Sequence, residues 1–366
     1  MRLVLDPEQE QLRAALRDLL AGHATSAHVR VAMAKEPGHD PALWARLGEL
    51  GALGLVVPEE HGGSGAGHVE RAIAAGELGR VVAPSPFLGS AVLAIDTLLA
   101  LDGGSDLLPA LAAGELIGTI AVAAPGHGLL EPGPARALAH TGGWALDGVL
   151  SPVVDGVVAD VLLVYALADD GLAFFRVDAD ALGMTRTALR TLDPTRRLAH
   201  VTLDATPATR LDGDAAVALA HVTDLAGVAL AAGQLGLLRR SLERTVEYAK
   251  VRTQFGRAIG SYQAVKHGLA DMEMALELGE SAVRYAAWVA DHDRAALPLA
   301  AATAQAYLGP AAFAGAQSMV QFHGGIGYTW EHDAHLYYKR AKSDQLLLGP
   351  PAAQRARLAT LLELDE

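Results

Sequence analysis

The sequence predicts a mainly helical fold with a β domain inserted between two helical halves. Residues 1–115 and 211–366 carry apolar residues at helical spacing, whereas residues 116–210 carry short β-rich runs separated by turn residues. Helices followed by strands and then by helices are typical of a helical body that a β domain interrupts. We therefore predict three domains with these boundaries: an N-terminal helical domain, a middle β-barrel or sheet, and a C-terminal four-helix bundle.

The N-terminal region shows clear signals for helix starts. Asp6 and Asp40 each precede a proline, and proline suits the first helical position because no N–H is needed there. Gly51 is a plausible end for the helix that follows Asp40. A glycine-rich loop at Pro58–Gly65 precedes a further helix from about His68 to Gly79.

The middle region predicts a small antiparallel sheet or barrel. Turn dipeptides at Asp147-Gly148, Asp155-Gly156 and Asp170-Gly171 separate its apolar runs. The glycine- and proline-rich segment Pro125–Pro134 predicts a loop. The expected strands are Ile117–Val122, Trp144–Leu150, Val157–Val164, Leu172–Val177 and His200–Leu203.

The C-terminal region predicts an antiparallel helical bundle. Its long segments Ala216–Lys250, Ser261–Asp291 and Leu297–Phe322 contain few helix breakers and are joined by short connections. Small residues around Ala226–Gly233 hint at room for a bulky ligand between these helices.

Composition excludes several classes of protein. Lys and Arg number 29 against 42 Asp and Glu, which gives a formal charge of −13 and makes nucleic acid a poor partner. The chain has no cysteine, so disulfides, thiolate metal sites and a thiol nucleophile are excluded. Gly, Pro or charge interrupts the longest apolar stretches, and the N-terminus reaches acidic residues at once. We therefore expect no membrane span, no secretory signal peptide and a cytoplasmic location.

The first segment with chemical potential runs from Glu247 to Gln263. It offers the fixed cation Arg252, the amide donors Gln254 and Gln263, and a glycine that lets a ligand approach the backbone. An arginine beside the free N–H groups of a following helix start suits a diphosphate. A capped turn between helices with a solvated arginine fits the spacing equally well.

The second segment is the glycine-rich turn after the last long helix, at Gln321–Tyr328. Its Gly-Gly-x-Gly pattern permits positive φ and close contact with a ligand, although most such turns only end helices. Histidines at 323, 332 and 335 raise the question of a metal. No clustered carboxylates complete a ligand set, so we favour a solvated face for His332 and His335 and predict no metal site.

Together the two segments resemble the C-terminal signatures of the acyl-CoA dehydrogenase family. The first matches its RxQFG block at Arg252–Gly256, and the second matches its QxxGGxGY block at Gln321–Tyr328. Val57–Gly65 is similar to the family's N-terminal loop, and the run from Trp144 to Val164 is similar to its middle β domain. The resemblance covers nearly the whole chain in the family's order.

The resemblance implies a flavoprotein that oxidises the Cα–Cβ bond of an acyl-CoA thioester, in fatty acid or steroid side-chain β-oxidation. In the family a carboxylate removes the α-proton, FAD accepts the hydride, and an electron-transferring flavoprotein accepts the electrons. Members are commonly tetramers in which the RxQFG block reaches the FAD diphosphate of a neighbouring subunit. The implied cofactor residues are Arg252, Gln254 and Phe255 at the diphosphate, Gln321, Gly324 and Gly325 near the adenosine, and Gln263 as a weaker candidate.

The chain departs from the family at the catalytic base. The usual glutamate position corresponds to Leu348, and the alternative position on the first long C-terminal helix corresponds to Ala226. Asp224 lies about 200° around that helix from Ala226 and should face elsewhere. Glu243 is interpreted as solvated and Glu247 as a surface or interface residue. The catalytic residue is therefore unknown.

A further departure concerns the middle domain. Ala123–Gly128 stands where the family has hydroxyl side chains that touch the flavin. Three hypotheses follow: a base-lacking subunit of a heteromeric dehydrogenase whose related partner carries the glutamate, a self-sufficient dehydrogenase with an unrecognised base, or flavin–oxygen chemistry of the monooxygenase type. We favour the heteromer, in which this chain contributes cofactor contacts across the interface and otherwise acts as a scaffold.

Overall fold

The computed structural model describes residues 4–101, 103–124, 128–133 and 135–364. The helices are α1 Pro7–His23, α2 Ser26–Ala34, α3 Pro41–Glu49, α4 His68–Arg80, α5 Ile95–Ala100, α6 Leu108–Ala113, α7 Ala215–Val251, α8 Gln263–His292, α9 Leu297–His323, α10 Ala334–Leu347 and α11 Pro351–Leu361. The strands are β1 Gly118–Ala121, β2 Arg136–His140, β3 Gly143–Val154, β4 Val161–Ala168, β5 Gly171–Asp178, β6 Met184–Ala188, β7 Leu198–Arg210, β8 Thr253–Gln254 and β9 Arg257–Ala258. This order of helices, strands and helices confirms the predicted fold class.

Contacts along the chain define two compact units, each assembled from separated segments. The first unit comprises Met1–Val29, Ala72–Ala83 and Gly227–Glu366, and the second comprises Arg30–Arg71 and Pro84–Ala226. The three domains predicted from the sequence remain a prediction, because the two units are defined by contacts and do not follow the predicted boundaries.

The predicted helix caps are confirmed. The Asp6 carboxylate accepts the Gln9 N–H at 2.9 Å, and the Gln9 side chain accepts the Asp6 N–H at 3.1 Å, which completes a capping box. The Asp40 carboxylate accepts the Ala42 N–H at 2.9 Å. Gly51 follows α3 with a φ of +74°, a left-handed conformation that glycine adopts at little cost.

The strands of the second unit form a closed ring. β4 pairs with β2, β2 with β3, β3 with β7, β7 with β5, and β5 returns to β4. The wholly antiparallel prediction is wrong, because β1 and β2 run parallel to β4. A long connection that includes the β2–β3 hairpin separates β1 from β4, and parallel neighbours require such a crossover.

In this sheet one further prediction is wrong, and two strands were missed. Asp147-Gly148 is not a turn, because it lies inside β3, where the pairing with β7 shifts register between Leu146 and Gly148. A Cβ on Gly148 would approach the Ala135 Cα to 2.9 Å, so the close approach requires glycine. Strands β2 and β6 were not predicted, because their mostly exposed residues lack a clear apolar alternation.

Apolar side chains fill the ring. Leu146, Leu162 and Phe175 are completely buried inside it, and Phe175 meets Trp144 edge to face with ring centroids 5.3 Å apart. Burial of each such side chain contributes about 1.5–3 kcal/mol, so this core holds the β domain together.

In the first unit, α4 and α7 cross in direct backbone contact. A Cβ on Gly79 would lie 2.1 Å from the Gly233 carbonyl oxygen, and a Cβ on Gly236 would lie 1.8 Å from that of Gly76. Only glycine permits this approach. The hint of space for a bulky ligand is therefore wrong at Gly233, because α4 occupies the space beside it.

We expected Gly, Pro or charge to interrupt the longest apolar stretches, and helix α7 does not follow this expectation. It contains an 18-residue window with a mean hydropathy of 1.7, which is long and apolar enough to cross a membrane. However, 72% of that window is buried inside the fold, as in the core helix of a folded domain.

The second unit buries a polar cluster between α4 and α5. Arg71 donates to Asp96 at 2.6 Å and to the His68 Nδ1 at 2.8 Å, and both Arg71 and Asp96 are almost inaccessible. Burial, followed by the charges of Arg71 and His221, lowers the pKa of His68 from 6.5 to about 2. Since arginine only donates, His68 accepts through Nδ1 as a neutral imidazole.

This cluster predicts acid sensitivity. The unfolded chain protonates His68 near pH 6.5 whereas the folded chain does not, so stability falls as the pH drops below 6.5. His68→Asn keeps an acceptor near the Nδ1 position but cannot titrate. Between pH 7 and pH 5 we expect the wild type to lose up to about 2 kcal/mol more unfolding free energy than the variant, measured by urea unfolding. Equal losses in both proteins would contradict this assignment.

Candidate functional site

The two signature segments lie at the same end of the helical bundle in the first unit. The Tyr248 ring, near the end of α7, stacks on His323 at the end of α9 with centroids 4.4 Å apart. Gly268, early in α8, lies so close to Phe322 that a Cβ would approach its ring to 2.4 Å. The end of α7, the beginning of α8 and the end of α9 therefore meet, as the antiparallel bundle predicted.

The RxQFG block forms a tight β-hairpin. Strands β8 and β9 pair Thr253 with Ala258 and Gln254 with Arg257, which leaves Phe255 and Gly256 as the two-residue turn. Both turn residues have positive φ, +50° and +80°, the pattern of a type I′ turn. Phenylalanine is unusual at such a position, and its side chain is 94% exposed.

The hairpin is braced at its base. The Ile259 N–H donates to the Arg252 carbonyl at 2.8 Å, and the Tyr262 hydroxyl donates to the Gln254 carbonyl at 3.0 Å. The Arg257 guanidinium lies 3.9 Å from the centroid of the Tyr262 ring, in a cation–π contact. The projecting turn is thus held in one conformation.

The predicted cofactor-binding side chains of this segment lie on the hairpin or next to it. Arg252, Gln254 and Gln263 all have exposed side chains. Helix α8 begins at Gln263, and its N-cap residue Tyr262 makes no side-chain cap. The first-turn N–H groups of α8 are therefore available to an anion such as a diphosphate.

The glycines of the second signature have different roles. A Cβ on Gly327 would lie 2.7 Å from the Val320 carbonyl oxygen, so the local fold requires this glycine. A Cβ on Gly324 or Gly325 would meet nothing within 4 Å, and Gln321 beside them is exposed. These two glycines leave the backbone open to a ligand.

A groove of about 680 Å³ adjoins this turn, a size suited to part of a large cofactor. It contains both amide and aromatic groups, which can hydrogen-bond to and stack on a planar ring. Its lining includes Gln317, Gln321, Phe322, Tyr328, Tyr338 and Lys339.

A cluster of three rings lies next to the glycine turn, and sequence reasoning missed it. His323 stacks on Tyr248 and also contacts His332, whose ring is tilted by 45° with its centroid 4.5 Å from that of His323. Burial lowers the pKa of His323, and burial is also the largest cause that lowers the pKa of His332 to about 4. His332, which was interpreted as part of a solvated face, is half-buried. No local sequence signal indicates this ring cluster, because its members are far apart along the chain.

The described residues contain no group of three or more His, Cys, Asp or Glu that could hold a metal ion. His335 is half-buried, and its Nε2 lies 3.3 Å from the Trp330 carbonyl oxygen.

Neither position that the family resemblance predicts for the base carries an ionisable side chain. Leu348 is half-buried at the end of α10, where the chain turns through Gly349 into α11. Ala226 is completely buried in α7. Asp224 is buried to 4% exposure on the same helix, within the second unit.

Glu243, which was interpreted as solvated, has a side chain that is 33% exposed and forms ion pairs. Its carboxylate accepts from Arg80 at 2.6 Å and from Arg240 at 2.9 Å. Glu247 is on the surface as expected, with a side chain that is 67% exposed. In the segment Ala123–Gly128, residues 125–127 lie outside the described part of the chain, so its role stays a prediction.

Comparison with known proteins places this geometry in context. Residues 6–115 match the model of the acyl-CoA dehydrogenase N-terminal domain, and residues 216–362 match that of the C-terminal domain. Acyl-CoA dehydrogenase IpdE2 of Mycobacterium tuberculosis is 38% identical over 352 residues, which cover 96% of each chain.

Two solved structures are similar over almost the whole chain. The ChsE4–ChsE5 complex of Mycobacterium tuberculosis matches with a TM-score of 0.90 and 31% identity, covering 100% of both chains. A steroid ACAD designated Tcur3481–Tcur3483 matches with a TM-score of 0.89 and 32% identity, covering 98% of both.

The chain belongs to the acyl-CoA dehydrogenase family. It is an oxidoreductase that acts on acyl-CoA, and its cofactor is FAD. The exposed arginine, the amides and the open glycine backbone fit a dinucleotide of this kind.

Proposed function

We propose that this chain is the base-lacking subunit of a heteromeric acyl-CoA dehydrogenase. The observation that carries the proposal is the pair Leu348 and Ala226, which leaves both of the family's base positions without a carboxylate. A general base accelerates proton removal by roughly 10²–10⁴-fold. A chain without a base therefore needs a related partner that carries one in order to reach an ordinary rate.

The chain's own contribution is to hold the cofactor. FAD, when bound, accepts the hydride from the substrate Cβ. The exposed Arg252, Gln254 and Phe255 would hold the diphosphate of a neighbouring subunit's FAD. Gln321, Gly324 and Gly325 would hold its adenosine end, and Gln263 would add an amide next to the N–H groups at the start of α8.

Phe255 supports this arrangement. A phenylalanine at positive φ with 94% of its side chain exposed gains nothing from the fold of its own chain. Burial against a neighbouring subunit supplies the missing stabilisation, since a fully buried phenylalanine contributes about 1.5–3 kcal/mol. The hairpin is thus best explained as an interface element.

The names of the relatives support the substrate class and the assembly. One similar structure is a complex of two named chains, and another is called a steroid ACAD. We infer a bulky, steroid-derived acyl-CoA as substrate and a heterotetramer as the assembly. We further infer an electron-transferring flavoprotein as electron acceptor and a cytoplasmic location.

Co-expression tests the proposal. The partner is a second family member with glutamate at one of the two base positions. We expect the two chains to purify together in equal amounts, with FAD, and to dehydrogenate acyl-CoA only as a pair. A homotetramer of this chain with full FAD and ordinary turnover would contradict the proposal. A reduced flavin on this chain that transfers oxygen to a substrate would favour the monooxygenase alternative instead.

Phe255→Asn separates the interface role from folding. Asparagine tolerates positive φ better than phenylalanine, so we expect unchanged or slightly higher thermal stability of the isolated chain. Loss of the buried ring should weaken subunit association and FAD retention by tenfold or more, measured by sedimentation and by cofactor titration. Unchanged FAD retention would contradict the assigned role of Phe255.

A further inference from the structure

A second cleft in the first unit, separate from the groove near Gln321, has a volume of about 320 Å³. The end of α1, the start of α2, the end of α4, and parts of α7 and α10 surround it. One wall is apolar and consists of the buried side chains of Leu20, Val29, Val82 and Leu336. The polar part of the lining, called here the polar wall, carries the three arginines Arg80, Arg240 and Arg244.

The charges of this polar wall do not cancel within the cleft. Asp333 accepts from Ser26 at 2.6 Å and from Arg244 at 2.9 Å, so its charge offsets that of Arg244. Arg80 and Arg240, which also line the cleft, share one close carboxylate, that of Glu243, at 2.6 and 2.9 Å.

A second acidic contact of Arg240 is weak. Its distance to the Glu247 carboxylate is 3.5 Å, and Glu247 is largely exposed. Two guanidinium groups around one close carboxylate leave an excess of positive charge at this wall.

Arg80 also has an unsatisfied donor. Its Nε is buried and has no hydrogen-bond partner within the described chain. A buried donor without an acceptor is unfavourable, and the Arg80 side chain, which is 22% exposed, adds its positive charge to the cleft.

The polar wall is held in place by packing around Tyr337. The Tyr337 hydroxyl donates to the Arg80 carbonyl at 2.9 Å, and the Arg244 guanidinium lies 5.8 Å from the centroid of the Tyr337 ring. Arg244 is thus held by the Tyr337 ring, and Arg80 and Arg240 are held by Glu243, which reduces the entropic cost of binding a ligand.

We propose that this cleft binds a small organic carboxylate. Arg80 and Arg240 already hold the carboxylate of Glu243, and guanidinium groups suit the planar geometry of a second one. The apolar wall takes a short alkyl chain. The volume corresponds to about ten water-sized groups, too small for a dinucleotide. Arg240 precedes Arg252 by about 18 Å along α7, so this ligand is not part of the candidate FAD contacts.

Thermal unfolding with sodium hexanoate tests the proposal, at an ionic strength held constant with sodium chloride. We expect the Tm to rise by about 2 °C when hexanoate exceeds its Kd tenfold. Acetate, which lacks the chain, and hexanol, which lacks the charge, should each have a much smaller effect. No rise with hexanoate, or an equal rise with inorganic phosphate, would overturn the assignment.

Two variants, Arg240→Gln and Ala21→Glu, locate the site, and Arg239→Gln serves as the control. Arg240→Gln should weaken hexanoate binding at least tenfold. Arg239→Gln should leave binding unchanged, because Arg239 pairs with Glu280 and does not line the cleft. Ala21→Glu places a carboxylate at an exposed position of the cleft wall, is well tolerated by a helix, and should abolish the hexanoate shift. Retention of the full shift in both Arg240→Gln and Ala21→Glu would show that hexanoate binds elsewhere and would contradict the proposal.

Discussion

Replacing Gly236 with alanine is expected to destabilise the first unit by about 3 kcal/mol or more, since overpacking at a rigid contact is among the costliest single changes. The new Cβ would lie 1.8 Å from the Gly76 carbonyl oxygen on α4, where no flexible side chain can yield. Helices α4 and α7 would have to separate along their whole crossing. Gly79→Ala should have a similar effect, because its Cβ would lie 2.1 Å from the Gly233 carbonyl oxygen.

The same crossing supplies matched controls. A Cβ on Gly233 would lie 3.6 Å from the nearest atom of α4, and a Cβ on Gly76 would lie 3.5 Å from the nearest atom of α7. These are ordinary contacts, so Gly233→Ala and Gly76→Ala should stabilise their helices by about 0.5–1 kcal/mol. Urea or thermal unfolding of the four variants measures the contrast. Similar stability of Gly236→Ala and Gly233→Ala would contradict the observed backbone contact.

In the assembled enzyme, turnover is expected to depend on a carboxylate of the partner and on none of this chain. Changing the partner's proposed base to glutamine should lower the rate of acyl-CoA dehydrogenation by roughly 10²–10⁴-fold, with little change in FAD content. The flavin absorbance under anaerobic single-turnover conditions reports this step directly.

Acidic residues of this chain provide the control. Asp224→Asn removes the buried carboxylate that lies two residues from Ala226, and Glu247→Gln removes an exposed one. Both variants should retain the flavin-reduction rate of the wild-type complex within about twofold, because neither carboxylate acts as the base in this account. A loss of 10²-fold or more in Asp224→Asn would identify a base within this chain and support a self-sufficient dehydrogenase.

The parts of the fold that depend on local pattern were predictable from the sequence. Long apolar periodicity defined α7, α8 and α9 to within about two residues, and Asp6 and Asp40 defined two helix starts. Strands β2 and β6 were not predictable, because pairing to neighbours rather than their own composition makes them strands. The parallel pairing of β1 with β4 is a tertiary property for the same reason.

The candidate site also contains residues that the sequence could predict and residues that it could not. Exposed candidate ligand groups such as Arg252 and Gln321 lie in short motifs, so spacing and resemblance indicated them. Residues that act through packing were missed, since the ring cluster of Tyr248, His323 and His332 joins positions far apart in sequence. The ion pair between Glu243 and Arg80 was missed for the same reason, because 163 residues separate the two along the chain.

The most direct test of the central claim is the visible spectrum of this chain purified alone, reconstituted with FAD and titrated anaerobically with acyl-CoA thioesters, including steroid-derived ones. A chain without a base should leave the oxidised flavin band unbleached, or retain no flavin, and bleaching should begin when the glutamate-bearing partner is added. Prompt bleaching by an acyl-CoA with this chain alone would show a complete active site and contradict the base-lacking assignment.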